Sequence, residues 1–118
     1  MCYNSPNEKA VKIDDYTLIC PSCGGNNLHH HTVEIFNRTE DAATGVHIKA
    51  EVAEWNHDND LKDTAMMDTN MEENPSKRRQ GISIGFLCET CDGDDGVDMV
   101  LDIVQHKGST YMFWRGSK

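Results

Sequence analysis

The chain has 118 residues, 37% of them hydrophobic and 26% charged, with 20 acidic against 11 basic side chains and a formal net charge of −9. A chain of this length holds one small domain with a thin core, which calls for a staple such as a metal. The acidic balance is the reverse of what a phosphate backbone attracts, so nucleic acid is the less favoured partner. No run approaches the roughly 20 apolar residues of a membrane span, and the start "MCYNSPNEKA" lacks the apolar stretch of a secretory signal, so a cytoplasmic protein without a membrane partner is expected.

In chain order, residues 1–15 are polar and carry Pro6, which predicts a flexible arm, with "DDYTLI" (14–19) as a short strand leading into Cys20. Residues 16–118 form the single domain. "HTVEIFNRT" (31–39) and "VHIKAEVAEW" (46–55) alternate apolar and polar side chains around the turn-prone "EDAATG", the pattern of a β-hairpin. Residues 56–76 are acidic and break the alternation. A long loop is favoured there over a short helix across 61–73, which Asp60 would cap, Pro75 would end, and in which Met67 and Met71 would lie one turn apart. "GISIGFLC" (81–88) puts Ile82, Ile84, Phe86 and Cys88 on one face and Ser83, Gly85 and Leu87 on the other. "VDMVLDIVQ" (97–105) and "TYMFWR" (110–115) flank the tight-turn residues "HKGS" as a second hairpin. Val100, Leu101, Ile103 and Val104 place apolar groups on both faces of that strand, which leaves one face to be covered by the arm, the acidic loop or a second copy; a homodimer is the weakly favoured outcome.

The cysteines define the architecture. "CPSCGG" (20–25) and "CETCDG" (88–93) are Cys-x-x-Cys pairs followed by glycine, and in a reducing compartment such pairs bind metal or carry out redox chemistry rather than forming structural disulfides. The alternatives to zinc are an iron centre, or a redox pair lacking the helix that thioredoxin-like motifs require. The reading is therefore one structural Zn²⁺ held by Cys20, Cys23, Cys88 and Cys91, with Gly24, Gly25 and Gly93 letting the backbone curl round the ion. The long gap across 24–87 is tolerable, because loop-closure entropy grows only logarithmically, about 1.2 kcal/mol for two doublings, against about 10–16 kcal/mol of apparent zinc binding. Four thiolates close the coordination sphere, so the metal does no chemistry. The expected fold is mainly β: a zinc ribbon with two knuckles, about five mostly antiparallel strands and a long acidic insertion. Cys2 stands apart in the polar tail.

Other residues are weighed against plainer roles. Alternation sends His29 and His31 to one face and His30 to the other, so the cluster cannot converge on one ion, and the helix that a His-Asn-His nuclease needs is missing after it. Lys77, Arg78 and Arg79 form the one basic cluster, able to clamp a phosphate or a carboxylate, or to pair with the nearby acidic loop or the thiolate-rich zinc centre; the latter is favoured. Trp55 and Trp114 end strand patterns as core or rim residues, either able to anchor a partner. Met66, Met67 and Met71 resemble a small adaptable contact surface, against the reading of a loop.

The ordered set "CPSCG", "LHH", "VEIFNRTED", "GVHI", "NPSKRRQGISIGFLCETC" and "LDIVQHKGSTYMFW" resembles small uncharacterised zinc-ribbon proteins of bacteriophages and bacterial mobile elements, over about residues 20–114 apart from a longer acidic loop. The resemblance implies a phage or mobile-element origin, hence a bacterial host cytoplasm, and carries no activity and no catalytic residue with it. The leading expectation for function is a non-enzymatic protein-binding module, whose partner is a host protein or a second copy. A narrower version is a phage-borne inhibitor whose acidic surface imitates nucleic acid. The alternative is a nucleic-acid-binding ribbon using Arg78, Arg79, Lys107 and Trp114; a metal-dependent nuclease or other enzyme using His29, His30 or His106 ranks third.

Overall fold

The structure is a computed structural model, and it describes residues 9–51, 64–89 and 99–115. The described residues form nine strands and no helix: β1 (Lys9–Ala10), β2 (Ile13–Asp14), β3 (Thr17–Leu18), β4 (Leu28–Asn37), β5 (Val46–Glu51), β6 (Thr64–Asp68), β7 (Gly81–Cys88), β8 (Met99–His106) and β9 (Ser109–Arg115). Seven make one antiparallel sheet in the order β1-β9-β8-β7-β4-β5-β6, and β2 pairs with β3 as a separate hairpin. No helix among the described residues is long and apolar enough to cross a membrane.

The two hairpins read from alternation are present as β4–β5 and β8–β9, and β7 joins them at the centre of the sheet. The β8–β9 turn is Lys107-Gly108, both with positive φ (51° and 81°), the conformation whose twist matches that of antiparallel strands. The β2–β3 turn uses the same geometry at Asp15 and Tyr16, where φ of 50° and 76° costs local strain because neither residue is glycine. Tyr16 projects almost fully into solvent at that tip.

Three expectations are corrected. Residues 64–68, expected in a loop or short helix, are strand β6, in register with β5 from His47↔Asp68 to Glu51↔Thr64. The ladder bonds to β5 override the weak local preference of a segment that has no apolar alternation of its own. Met67 and Met71 consequently do not share a helix face: Met67 lies in the edge strand and Met71 in the loop after it. Residues 9–15 are not a loose arm either, since Lys9 and Ala10 pair with Trp114 and Phe113, and Ile13 and Asp14 with Leu18 and Thr17. The strand count of about five is exceeded because these short pairs add to the two hairpins and β7.

The register sorts side chains onto two unlike faces. One carries Trp114, Leu101 and Met99, over which the segment around β2–β3 packs Val11, Leu18 and Cys20 to close the main apolar core with Cys88 and Phe86. Trp114 meets Phe86 edge to face at 5.6 Å. The opposite face carries Gly81, Ser83 and Gly85 on β7 between Asp102 and Val104 on β8 and Glu34 and Phe36 on β4. Here the loop before β7 folds back: a Cβ on Gly81 would lie 2.3 Å from Asn74 Oδ1 and 2.9 Å from Pro75 Cγ, so only glycine admits this approach. Buried Ser76 donates from Oγ to the Gln105 carbonyl at 2.9 Å and fixes the loop to β8.

Candidate metal centre

The first knuckle is a tight turn from Cys20 to Gly25. Gly24 adopts φ +77°, Gly24 N–H donates to the Cys20 carbonyl at 3.0 Å, and Cys20 N–H donates to the Gly25 carbonyl at 2.8 Å. This curl points backbone N–H groups at sulfur: Ser22 N–H donates to Cys20 Sγ at 3.4 Å and Gly25 N–H to Cys23 Sγ at 3.3 Å. Cys88 arrives at the end of β7, where the ladder Leu28↔Cys88 and the bond from Glu89 N–H to the Asn27 carbonyl (3.1 Å) hold it against the first knuckle.

The sulfurs of Cys20, Cys23 and Cys88 all lie within 4.8 Å of one another, with Cys23 and Cys88 3.6 Å apart. Four thiolates about 2.3 Å from a tetrahedral ion stand about 3.8 Å from each other, so this spacing suits a shared cation and is far longer than a disulfide. Three crowded thiolates without a cation would repel. Cys20 and Cys88 are 1% and 2% exposed, while Cys23 is at the surface. Cys91 lies outside the described residues, so the fourth expected ligand has no observed position. Beside the first knuckle a cleft of about 370 Å³ is lined by Lys9, Lys12, Ile19, Cys20 and Pro21, so two lysines share it with one of the cysteines.

The remaining expected site residues are dispersed. His30 meets Phe86 edge-on, whereas His31 lies over Gly85, so the strand does divide the histidine run as alternation required. His29 pairs with Glu89, the residue after Cys88, and His31 Nδ1 bonds to Thr32 Oγ1 at 2.8 Å across a β-bulge. Arg78 forks onto Asp41 at 2.7 and 2.6 Å, and both Arg78 and Arg79 reach Glu40 at 3.4 Å. The arginines are thus paired with acids, but with the β4–β5 turn rather than with the acidic segment or the sulfur centre. The Arg78 fork holds the Asp41 carboxyl below the usual carboxylate range, its hydrogen bond being the main cause. Lys107 is exposed in its hairpin turn. Trp114 is a core residue at 2% exposure, which agrees with the first of its two readings and leaves little of it for a partner to hold. Met67 is exposed, and Met71 is half-buried with its sulfur 3.8 Å from Asn74 Nδ2. Trp55 falls outside the described residues.

Two features escaped the sequence reading. Arg38 donates to the carbonyls of Arg79, Ala42 and Ser76 at 3.0–3.2 Å, tying the β4–β5 turn to the loop before β7. Buried His47 is gripped from both sides: Nε2 lies 2.9 Å from Glu34 Oε2 and Nδ1 2.8 Å from Asp68 Oδ1, with its ring stacked on Phe36 at 4.3 Å. Both partners are carboxylates, which only accept, so the ring carries both protons. Burial opposes that charge, but the bonds to Glu34 and Asp68 outweigh it and raise the pKa above the ordinary 6.5. Asp68 is lowered, chiefly by the Asn70 N–H and then by His47. The sequence signal was only a histidine at a polar position of β5; the clamp needs β6, which the sequence did not predict.

The sign of the pH dependence follows. A raised imidazole contributes stability that is complete below about pH 6.5 and is lost as pH rises through the folded-state value, while a lowered Asp68 contributes above about pH 4 and loses that contribution as pH falls through its folded-state value. The stability difference between the wild type and His47→Gln should therefore be largest between these limits and shrink as pH rises through the folded-state value of the imidazole. Urea unfolding of both proteins from about pH 4 upward measures it; a difference that does not depend on pH would show that protonation of the ring is not coupled to folding.

Comparison of the chain with protein-family models, with curated proteins and with solved structures gives no match.

Proposed function

We propose that this is a structural-zinc protein of the zinc-ribbon kind that acts as a protein-binding module, of phage or mobile-element origin, working on a host protein in the bacterial cytoplasm. The observation that carries the reading is the seating of the sulfurs: Cys20 and Cys88 belong to the same buried cluster as Met99, Leu101 and Trp114. A metal bound there, completed by Cys91, joins the β2–β3 segment to the sheet and offers little access to a substrate. Its contribution when bound is charge compensation and cross-linking. Function then rests on the outer surface, which is acidic and carries exposed Glu51, Glu72 and Glu73. The nucleic-acid alternative loses support because Arg78 and Arg79 are already paired with Glu40 and Asp41.

The test is native mass spectrometry of protein purified gently from the cells that express it, beside a variant with Glu51, Glu72 and Glu73 all changed to Gln. One zinc per chain and a co-purifying host protein that the variant no longer retains is the expected result. A metal-free chain would overturn the zinc assignment, and a partner held equally by the variant would overturn the acidic interface.

A further inference from the structure

One row of side chains crosses six of the seven strands of the sheet on the face that bears Trp114, where β1 adds Lys9 beside the tryptophan. Met112 stands opposite Ile103, Ile103 opposite Ile82, Ile82 opposite Ile35, Ile35 opposite Ile48, and Ile48 opposite Met67, one residue from each of β9, β8, β7, β4, β5 and β6. The β2–β3 segment covers the neighbouring row only at Trp114 and Leu101; Met112, Ile35, Ile48 and Met67 are exposed. Single exposed apolar residues need no explanation, but a continuous row does. An antiparallel sheet ordinarily keeps one face wet with polar side chains, yet here the opposite face holds the charged clusters Arg115–Asp102 and Glu34–His47–Asp68.

We propose that this face is the interface of a homodimer in which two sheets pack face to face. The row reads Met-Ile-Ile-Ile-Ile-Met, the same from either end. A two-fold axis parallel to the strands and passing between β7 and β4 therefore sets Met112 of one copy over Met67 of the other, and isoleucine over isoleucine between them, as an isologous contact requires. The same operation lays Trp114 and Leu101, with the β2–β3 segment over them, against Ala65 and Ala50 of the other copy, and Ile84 against Val33. Charge selects a second copy as the occupant. Each chain carries −9, and two such bodies repel except where they expose no charge. None of the described residues that the ladders place on this face of β4–β9 is Asp, Glu, Lys or Arg. Strands about 4.8 Å apart make the row about 24 Å long, and with about 20 Å along the strands the face spans about 480 Å², less than the roughly 800 Å² that each partner gives to a standard interface, so the dimer belongs to the small, weakly associating class.

This proposal goes beyond the functional reading above and does not rest on it. Sedimentation velocity of the metal-loaded full chain from about 1 to 100 μM tests it, beside Ile48→Glu and Met67→Glu; the second substitution is at an edge position 73% exposed, where the fold tolerates a charge. The expected result is a particle of twice the 13.3 kDa chain mass, and a dissociation constant raised at least about a hundred-fold in either variant, since each introduces two unpaired charges into one interface. Circular dichroism and metal content should not change. Raising the salt should leave the dimer intact or tighten it, because only the repulsion between bodies is screened. A wild-type monomer at the highest concentration, or a dimer indifferent to both substitutions, would overturn the proposal. A monomer that instead holds a foreign protein through this face, released by Met67→Glu, would overturn it too.

Discussion

Cys88→Ser is expected to lose both the bound metal and cooperative unfolding. Cys88 is 2% exposed, its sulfur lies 3.6 Å from that of Cys23, and it is shared between the candidate metal centre and the main apolar core. Structural zinc contributes about 10–16 kcal/mol of apparent binding free energy, whereas a domain of this size is stable by only about 5–15 kcal/mol in total. Removing one ligand of the set consequently removes most of what opposes chain entropy. The serine hydroxyl also buries a polar group in that core, so a packing effect must be separated from a metal effect. Treating the wild type with a strong chelator does so: far-UV circular dichroism should show the same loss, restored on adding Zn²⁺. If Cys88→Ser keeps its zinc and a sharp thermal transition, or the chelated wild type stays folded, the sulfur cluster is not the staple of this fold.

The second large effect is expected at Asp102. Its carboxylate is 3% exposed and accepts from Ser83 Oγ at 2.7 Å, Arg115 Nε at 2.9 Å and Arg115 Nη2 at 2.9 Å, while Nη2 also donates to Ser83 Oγ at 3.1 Å. Asp102→Ala would leave a buried hydroxyl and a guanidinium without their acceptor. Breaking a buried pair costs about 3–5 kcal/mol, and the half-exposed Arg115 can recover part of that by turning to water, so about 2–4 kcal/mol is expected. In a chain of this length that lowers the melting temperature by about 10–15 °C. Ser83→Ala should cost only about 1 kcal/mol, because the bidentate Arg115 contact survives. Calorimetry of both variants checks the order; an Asp102→Ala protein as stable as Ser83→Ala would mean that the pair is solvated in solution.

What the sequence determined by itself is what depends on local pattern. Alternation at 31–37, 46–51, 81–88 and 99–115 is a period-two signal that survives any tertiary context, so the two hairpins and the central strand were legible, as was the division of His29, His30 and His31 between faces. Cys-x-x-Cys spacing with glycine likewise foretold the knuckle at Cys20–Gly25, because its turn is closed by short-range bonds. The tertiary structure decided the rest. Strand β6 exists because the exposed edge of β5 offers ladder partners to a segment with weak preferences of its own, and only then can Asp68 reach His47. Arg78 and Arg79 found acids on the β4–β5 turn because the loop before β7 folds back over Gly81, a contact between residues about forty apart in sequence that no local window contains. Trp114, at the end of an alternating run, was equally suited to rim or core until the β2–β3 segment covered it. The row from Met112 to Met67 is the clearest case: its members are scattered over six strands, and only cross-strand register, fixed by long-range hydrogen bonds, brings them into one line.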